Sequence, residues 1–379
     1  MKKLIRVTTA DISLDGLLQG QLRFLNQYFE VIGLAADTGS LAKVAEREGI
    51  RTIDVPMHRE ISLKADLKSL WQLIKVFRKE KPYIVHCNTP KGSLLALIAA
   101  KVVSVPHRLY TVTGLRYQGA SGLLRFILMT MERISCFCAT KVIPEGNGVK
   151  QTLYQDHITS KSLEVIYHGN INGKDTTYWS VEQSPKSREE VRKRLDLKED
   201  DFVFVFVGRI VNDKGMHELA QALKRLNKDY PYCKVLLVGR FEPDLDPLYE
   251  EDEQFLHTDN SICSVGEQSE VRPYYAAADA LVFPSYREGF PNVVLEAGAM
   301  GLPSIVTDIN GCNEIVEEGV NGVIVPAKDA DALYGAMKYF LDNPERVKEM
   351  ATRARPIIQE RYEQRDVWKA LLNMYDSLK

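Results

Sequence analysis

Short runs rich in Val, Ile, Leu and Phe recur along the chain, separated by longer stretches in which apolar residues return every third or fourth position. In the first half the runs predict strands over Leu4–Thr9, Val31–Ala36, Arg51–Val55, Tyr83–Cys87, Arg108–Val112, Lys141–Pro144 and Leu163–Tyr167. Helical periodicity between them is clearest over Leu63–Lys79, Leu94–Val103 and Leu123–Cys138. A second series opens with DFVFVFV at Asp201–Val207 and continues at Lys234–Val238, Ser261–Val265, Ala280–Phe283, Ser304–Thr307 and Gly322–Val325. Its helices are expected near Gly215–Lys228, Val271–Ala277, Val293–Met300 and Ala330–Leu341, with helical material closing the chain from Glu345 to Leu378. Strand-then-helix alternation of this kind predicts α/β architecture, with parallel sheets covered by helices on both faces. The turn-rich connector HGNINGKDTTYW, near Gly169–Asp175, divides the two series. Domains are therefore expected over 1–170 and 171–362.

Composition narrows the class. A chain of 379 residues is comfortable for two such domains, and 45% hydrophobic with 26% charged residues fits a globular protein. The net charge of −2 hides an asymmetry: residues 1–170 carry 23 Lys/Arg against 14 Asp/Glu, or +9, leaving −11 for the remainder. A basic first half suits an anionic partner, either a membrane surface or a phosphorylated acceptor, or is mere surface asymmetry. The six cysteines form no CxxC pair and no zinc or disulfide pattern, which points to a reducing cytoplasm. MKKLIRVTT reads as a first strand rather than a signal segment. No run approaches 18 uncharged apolar residues, so no transmembrane span is expected.

Two stretches of the second half carry candidate chemistry. In ALVFPSYREGFPNVVLE, the strand Ala280–Phe283 is followed by a Pro/Ser/Gly loop and a helix from Val293, with Asn292 as the expected N-cap. Glu288 lies on the loop and Glu296 in the first turns of the helix, so both can face a ligand above the strand's C-terminal end. The helix N-terminus suits a phosphate. In GRIVNDKG, which follows DFVFVFV, Arg209 and Lys214 bracket a strand-to-helix turn and could both address one anion. Two fixed cations there would stabilise a departing diphosphate. Each feature alone also fits a well-capped helix or a solvated charged loop.

Together these pieces resemble the family 4 retaining glycosyltransferases. E-G-F-P-x-x-x-L-E after P-S looks like that family's E-x7-E motif, and G-R-x4-K-G sits where the family binds the diphosphate. Further matches are Pro284–Ser285, Glu296–Ala297 with Gly301-x-Pro303, Gly311 with Glu314, and Asn321–Gly322. The resemblance implies the GT-B fold, two Rossmann-like domains facing a central cleft, with the segment 363–379 packing back on the first. It implies a nucleotide-sugar donor, most simply UDP-linked, held by the second domain. Carried over by motif, Glu288 touches the donor sugar and Glu296 the ribose hydroxyls, while Arg209 and Lys214 neutralise the diphosphate beside Gly208. Backbone groups of Phe290, Pro291 and Asn292 would line the donor, and the base would lie near Gly266. No cofactor and no metal are implied.

The first half matches more loosely. HCNTPKGSLLA resembles the T-P-K element of polysaccharide-assembling members, with Lys91 in the first helical turn. A lysine there opposes the helix dipole, which is odd unless an anion sits opposite, so Lys91 either faces an acceptor phosphate or is solvated. TVTGLRY carries Thr113 where many members have a donor-contacting His, and places Arg116 on the acceptor side. A hydroxyl is a poor proton carrier near neutral pH, so Thr113 has no clear acid/base role; His86 and His168, at strand ends, are the alternatives to structural histidines. Gly16, after the first strand, either lets backbone approach the donor or turns the chain into a helix from Leu17. It lacks GxGxxG spacing with Gly20, which argues against a nicotinamide cofactor. Asp244-Leu-Asp246 reads as a surface loop rather than a metal-binding D-x-D. Leu123–Cys138 reads by default as a buried helix, and alternatively as one that lies in a bilayer surface.

The resulting expectation is a glycosyltransferase, cytoplasmic or peripheral at the inner membrane face. It would move a hexose or N-acetylhexosamine from a UDP-sugar to a saccharide acceptor, expected to be polyprenyl-diphosphate-linked, in capsule, O-antigen or other surface glycan assembly. No nucleic-acid partner is expected. A nucleotide-sugar 2-epimerase of the same architecture and a non-catalytic sugar-nucleotide binder are the rivals.

Overall fold

The computed structural model describes residues 1–58 and 62–378. It divides into two compact units, Met1–Gly173 with Gln364–Lys379, and Lys174–Glu363. Each is built on a six-stranded sheet in which every strand pairs parallel to its neighbours.

In the first unit the strands are β1 (Lys3–Ala10), β2 (Glu30–Ala36), β3 (Arg51–Asp54), β4 (Ile84–Cys87), β5 (His107–Val112) and β6 (Lys141–Pro144), in the order β3-β2-β1-β4-β5-β6. Both faces are covered, and the central strands bury polar as well as apolar side chains, among them Thr8 on β1, His86 on β4 and Thr111 on β5. Arg6 on β1 is fully buried. Its guanidinium donates to Gln21 Oε1 (2.8 Å), Asn88 Oδ1 (2.7 Å) and the Tyr375 hydroxyl (3.1 Å). Tyr375 belongs to the last helix, Gln364–Asp376, so that helix is bonded to the sheet of the first unit. The helical material expected from Glu345 onward forms two helices, Pro344–Tyr362 and Gln364–Asp376, and Glu363 between them bridges to Lys174.

The second unit contains β7 (Phe202–Val207), β8 (Cys233–Val238), β9 (Ile262–Ser264), β10 (Ala280–Phe283), β11 (Ser304–Thr307) and β12 (Gly322–Val325), in the order β12-β11-β10-β7-β8-β9. The order reverses between β7 and β10. In open α/β sheets ligands bind beyond the carboxyl ends of the strands at such a reversal. The loops after β7 and β10 are GRIVNDKG and PSYREGFPN, the two stretches singled out from sequence.

Three expectations fail. Leu163–Tyr167 forms no strand: the segment has no regular structure before a turn at Tyr167, and the sheet ends at β6. Gly16 does not turn the chain into a helix at Leu17, because it lies inside the helix Asp11–Leu17. That helix starts early because Asp11 accepts from the backbone N–H groups of Ile12, Thr38 and Ser40, fixing the β1 exit to the β2 exit. The helix Gly122–Cys138 is not a buried one. It buries Leu128, Glu132, Ser135, Cys136 and Cys138, and exposes Leu123, Leu124, Phe126, Ile127, Ile134 and Phe137. Among the described residues, no helix is long and apolar enough to cross a membrane.

Candidate functional site

The site is built from the tips of β7 and β10. After Val207 the chain passes Gly208 and Arg209 into the short turn Asn212–Lys214, which leads through Gly215 into the helix Met216–Leu226. Gly215 has φ +74°, and a Cβ there would fall 2.1 Å from the carbonyl oxygen of Pro284. The backbone of the β7 loop therefore lies directly on the backbone of the β10 loop, which only glycine permits. Two hydrogen bonds fix the turn. Tyr286 N–H donates to the Asp213 carbonyl (2.9 Å), and Asp213 N–H donates to Asp246 Oδ2 (2.6 Å). Asp246 is thus a brace for the turn, not part of a merely solvated loop.

This contact brings Lys214 to Glu288. The ammonium pairs with Glu288 Oε1, and the hydroxyl of fully buried Ser285 donates to the same oxygen (3.0 Å). Both charged side chains are mostly buried, at 14% and 19% exposure, so their attraction is weakly screened. Cys312 lies beneath them, and burial with the nearby Glu288 carboxylate holds its thiol far above the usual range. It stays protonated and inert. Arg209 points elsewhere. It is half exposed and lies 3.5 Å from Glu242, whose other oxygen is held by Arg240 (2.8 Å).

Glu296 occupies the helix Asn292–Ala299, with partners distinct from those of Glu288. Lys174 Nζ donates to its Oε1 (2.6 Å) and the buried Tyr275 hydroxyl lies 3.3 Å from Oε2. Burial, with Glu296 alongside, pushes the Tyr275 phenol well up, so it remains a donor. The helix begins one residue earlier than expected: Asn292 is its first residue, Pro291 takes the N-cap position, and no side chain caps it. Phe290 is buried against Tyr362, with ring centres 5.6 Å apart, so only its backbone can address a ligand. Gly311 packs on this loop, where a Cβ would meet Phe290 Cα at 2.7 Å. Gly208 and Gly266 follow β7 and β9 and are linked through Gly239, whose N–H donates to the Gly266 carbonyl (2.9 Å) while Gly208 N–H donates to Val238 (3.0 Å). Sequence reasoning missed Gly239. The signal was present as the repeated Val-Gly at 207–208, 238–239 and 265–266. Ser285 belongs to the P-S pair matched from sequence, but its bond to Glu288 was not foreseen; Lys174, Tyr275 and Glu242 were missed, and no local pattern marks them.

In the first unit, Lys91 opens the helix Pro90–Val102 and is buried, 2.7 Å from the Asp66 carboxylate. An anion does face this lysine, but it belongs to the neighbouring helix Leu63–Glu80. Thr113 donates to the Asn88 carbonyl (3.0 Å), and Arg116 is exposed on the turn Arg116–Gly119. Gly16 adjoins no atom that a Cβ would strike. His86 is a structural histidine. Its two ring nitrogens meet the Tyr375 hydroxyl (2.5 Å) and the Thr111 hydroxyl (2.7 Å), and burial beside Arg6 pushes its pKa well down. His168 does not end a strand, since none forms there, and its ring packs edge-on against Tyr167.

Two six-stranded parallel sheets, with a buried Lys–Glu pair and a second carboxylate at the switch point of the second, give the chain GT-B architecture and a candidate site there. Residues 187–356 match the model of the glycosyl transferases group 1, and residues 27–169 match the glycosyl transferase 4-like domain. The chain belongs to this glycosyltransferase family. It is 32% identical to the capsular polysaccharide biosynthesis glycosyltransferase CapM of Staphylococcus aureus, over 99% of this chain and 97% of that one. It is 29% identical to the Escherichia coli UDP-Gal:alpha-D-GlcNAc-diphosphoundecaprenol alpha-1,3-galactosyltransferase, with 89% of each covered. Its fold superposes on that of Anabaena Alr3699/HepE, solved in complex with UDP and glucose, with a TM-score of 0.82 at 19% identity and full coverage of both chains.

Proposed function

We propose that the protein transfers a hexose or N-acetylhexosamine, with retention, from a UDP-sugar to a polyprenyl-diphosphate-linked saccharide in the assembly of a surface glycan. The observation that carries this reading is the meeting of Lys214 and Glu288 at the tips of β7 and β10. Lys214, with Arg209 on the same loop, would neutralise the diphosphate as the bond from the sugar C1 to the β-phosphate oxygen breaks. The acceptor oxygen bonds C1 on the face that the diphosphate leaves, and its proton passes to the departing phosphate oxygen. Glu288, with one oxygen already engaged by Lys214 and Ser285, suits contact with the donor sugar better than attack on it. Glu296 would accept hydrogen bonds from the ribose hydroxyls. The two basic side chains would supply charge that a metal otherwise provides, so the reaction is read as metal-independent.

The lipid-linked acceptor is supported by the activity named for the E. coli relative and by the exposed apolar residues of the first unit. Phe126 and Phe137 are 63% and 70% exposed on one helix; Leu67 and Trp71 are 65% and 57% exposed on another. Both helices start at the carboxyl edge of the sheet, as helices after parallel strands must. Lys101 lies over the Phe137 ring and Lys75 over Trp71, so cations accompany the apolar surface. This combination suits an anionic bilayer face, where aromatic side chains enter and lysines meet headgroups.

The test is nucleotide release from a panel of UDP-hexoses and UDP-N-acetylhexosamines, with and without a polyprenyl-diphosphate-linked saccharide. Release of UDP only with the acceptor, and a product with the donor's anomeric configuration, is expected. Release without acceptor together with an epimerised sugar would instead identify a 2-epimerase. Binding with no turnover across the acceptor panel would identify a sugar-nucleotide sensor.

A further inference from the structure

Lys174 is the first residue of the second unit, and the chain leaves that unit again after Glu363. The two crossings are bonded side by side. Lys174 N–H donates to the Tyr362 carbonyl (2.8 Å), Lys174 pairs with Glu363 as an isolated parallel bridge, and the Thr176 hydroxyl donates to Glu363 Oε2 (2.7 Å). The backbone of Lys174 is therefore fixed before its side chain is considered. That side chain is 14% exposed. It passes Trp179, with Nζ 5.4 Å from the ring centre, and ends on Glu296 Oε1 at 2.6 Å. Tyr275 approaches the other carboxylate oxygen, and the Trp179 ring packs edge-on against Tyr275 at 6.2 Å. Lys174, Trp179 and Tyr275 thus form a second layer behind a carboxylate that sequence motifs alone identify.

We propose that Lys174 is a positioning residue of the donor site, acting through Glu296 to hold its carboxylate ready for the ribose hydroxyls. This rests on the reading of Glu296 given above. A glutamate has three rotatable bonds, and fixing it on binding costs affinity that a preformed ion pair removes. The ammonium also balances a carboxylate that is only 13% exposed and would otherwise be poorly solvated when nucleotide covers it. A methionine at 174 would keep the length and apolar packing of the stem and remove the charge-assisted hydrogen bond.

The test is calorimetric titration of the full-length protein with UDP and with 2′,3′-dideoxy-UDP, which lacks the diol that Glu296 would bind. Lys174→Met is expected to weaken UDP about tenfold and leave the dideoxy nucleotide unchanged. Lys174→Arg should recover most of the loss. Adding Lys174→Met to Glu296→Gln should cost little more than Glu296→Gln alone. In turnover, donor KM should rise in Lys174→Met with kcat near that of the parent. If Lys174→Met weakens both nucleotides equally, or neither, while Glu296→Gln still discriminates between them, the inference about Lys174 is overturned and the reading of Glu296 stands. If Glu296→Gln binds both as the parent does, the ribose role of Glu296 falls, and the inference with it.

Discussion

Lys214 and Glu288, 74 residues apart in sequence, form an ion pair at the tips of the two strands between which the second sheet reverses its order. The pair stores a conflict. On the proposed reading a donor diphosphate would need Lys214, which Glu288 already holds.

That conflict sets the expected behaviour of Glu288→Gln. Losing the carboxylate frees the ammonium, so UDP should bind as tightly as before or a few-fold tighter. If Glu288 meets the donor sugar as proposed, turnover should nevertheless fall by about 10²-fold or more, because a charged contact near the reacting carbon would be lost. Opposite signs in UDP affinity and kcat are the signature to measure. Parallel losses in both would mean that Glu288 mainly shapes the pocket.

Gly215 offers a test of the scaffold alone. Because its Cβ would meet the Pro284 carbonyl at 2.1 Å and its φ is +74°, Gly215→Ala must push the two loops apart. A destabilisation above about 2 kcal/mol is expected, read as a lowered midpoint of thermal unfolding. An unchanged midpoint would show that the loops do not touch as described.

These two cases mark what was legible in the sequence. The strands β7 and β10 and their loops could be placed because an apolar run followed by Gly, Pro and charge is a local signal. The strand boundaries of β6, β10, β11 and β12 follow the predicted runs for the same reason. What could not be read is pairing across the fold. Lys91 looked unpaired until Asp66 of another helix reached it, and Arg209 looked equivalent to Lys214 until Glu242 drew it aside. Leu163–Tyr167 has the composition of a strand but no neighbour to pair with, and composition alone cannot supply one. The helix Gly122–Cys138 looked like core because its apolar residues surround it; only packing shows which of them stay in water.

Glu132 carries a pH prediction. It is buried on that helix, accepts a hydrogen bond from Tyr110 (2.6 Å), and burial raises its pKa from 4.5 to about 7 despite that bond. The folded state therefore holds a proton that the unfolded state has released between these values. Stability falls as pH rises through that window, and stays lowered above it. Glu132→Gln cannot ionise and should escape the loss. Its stability relative to the parent should improve from pH 4.5 to pH 8 by at most about 3 kcal/mol, read by denaturant unfolding at both values. A constant difference across the range would show that Glu132 does not titrate there.

Membrane affinity is testable without enzymology. Replacing Phe126 and Phe137 with glutamate removes two large exposed apolar groups and adds like charge to an anionic surface. Co-sedimentation with phosphatidylglycerol vesicles should drop at least tenfold in the double variant, with UDP binding unchanged, and salt should weaken binding of the parent. Equal sedimentation of both proteins would contradict the surface assignment.

The most direct measurement of the central claim is calorimetry of UDP against uridine in the parent, Arg209→Ala and Lys214→Ala, with a chelator present throughout. If the diphosphate rests on these two side chains, the parent should prefer UDP strongly, and each variant should lose about tenfold or more of that preference while binding uridine as before. Full retention of the preference in both variants would contradict the account, because the diphosphate would then be held elsewhere.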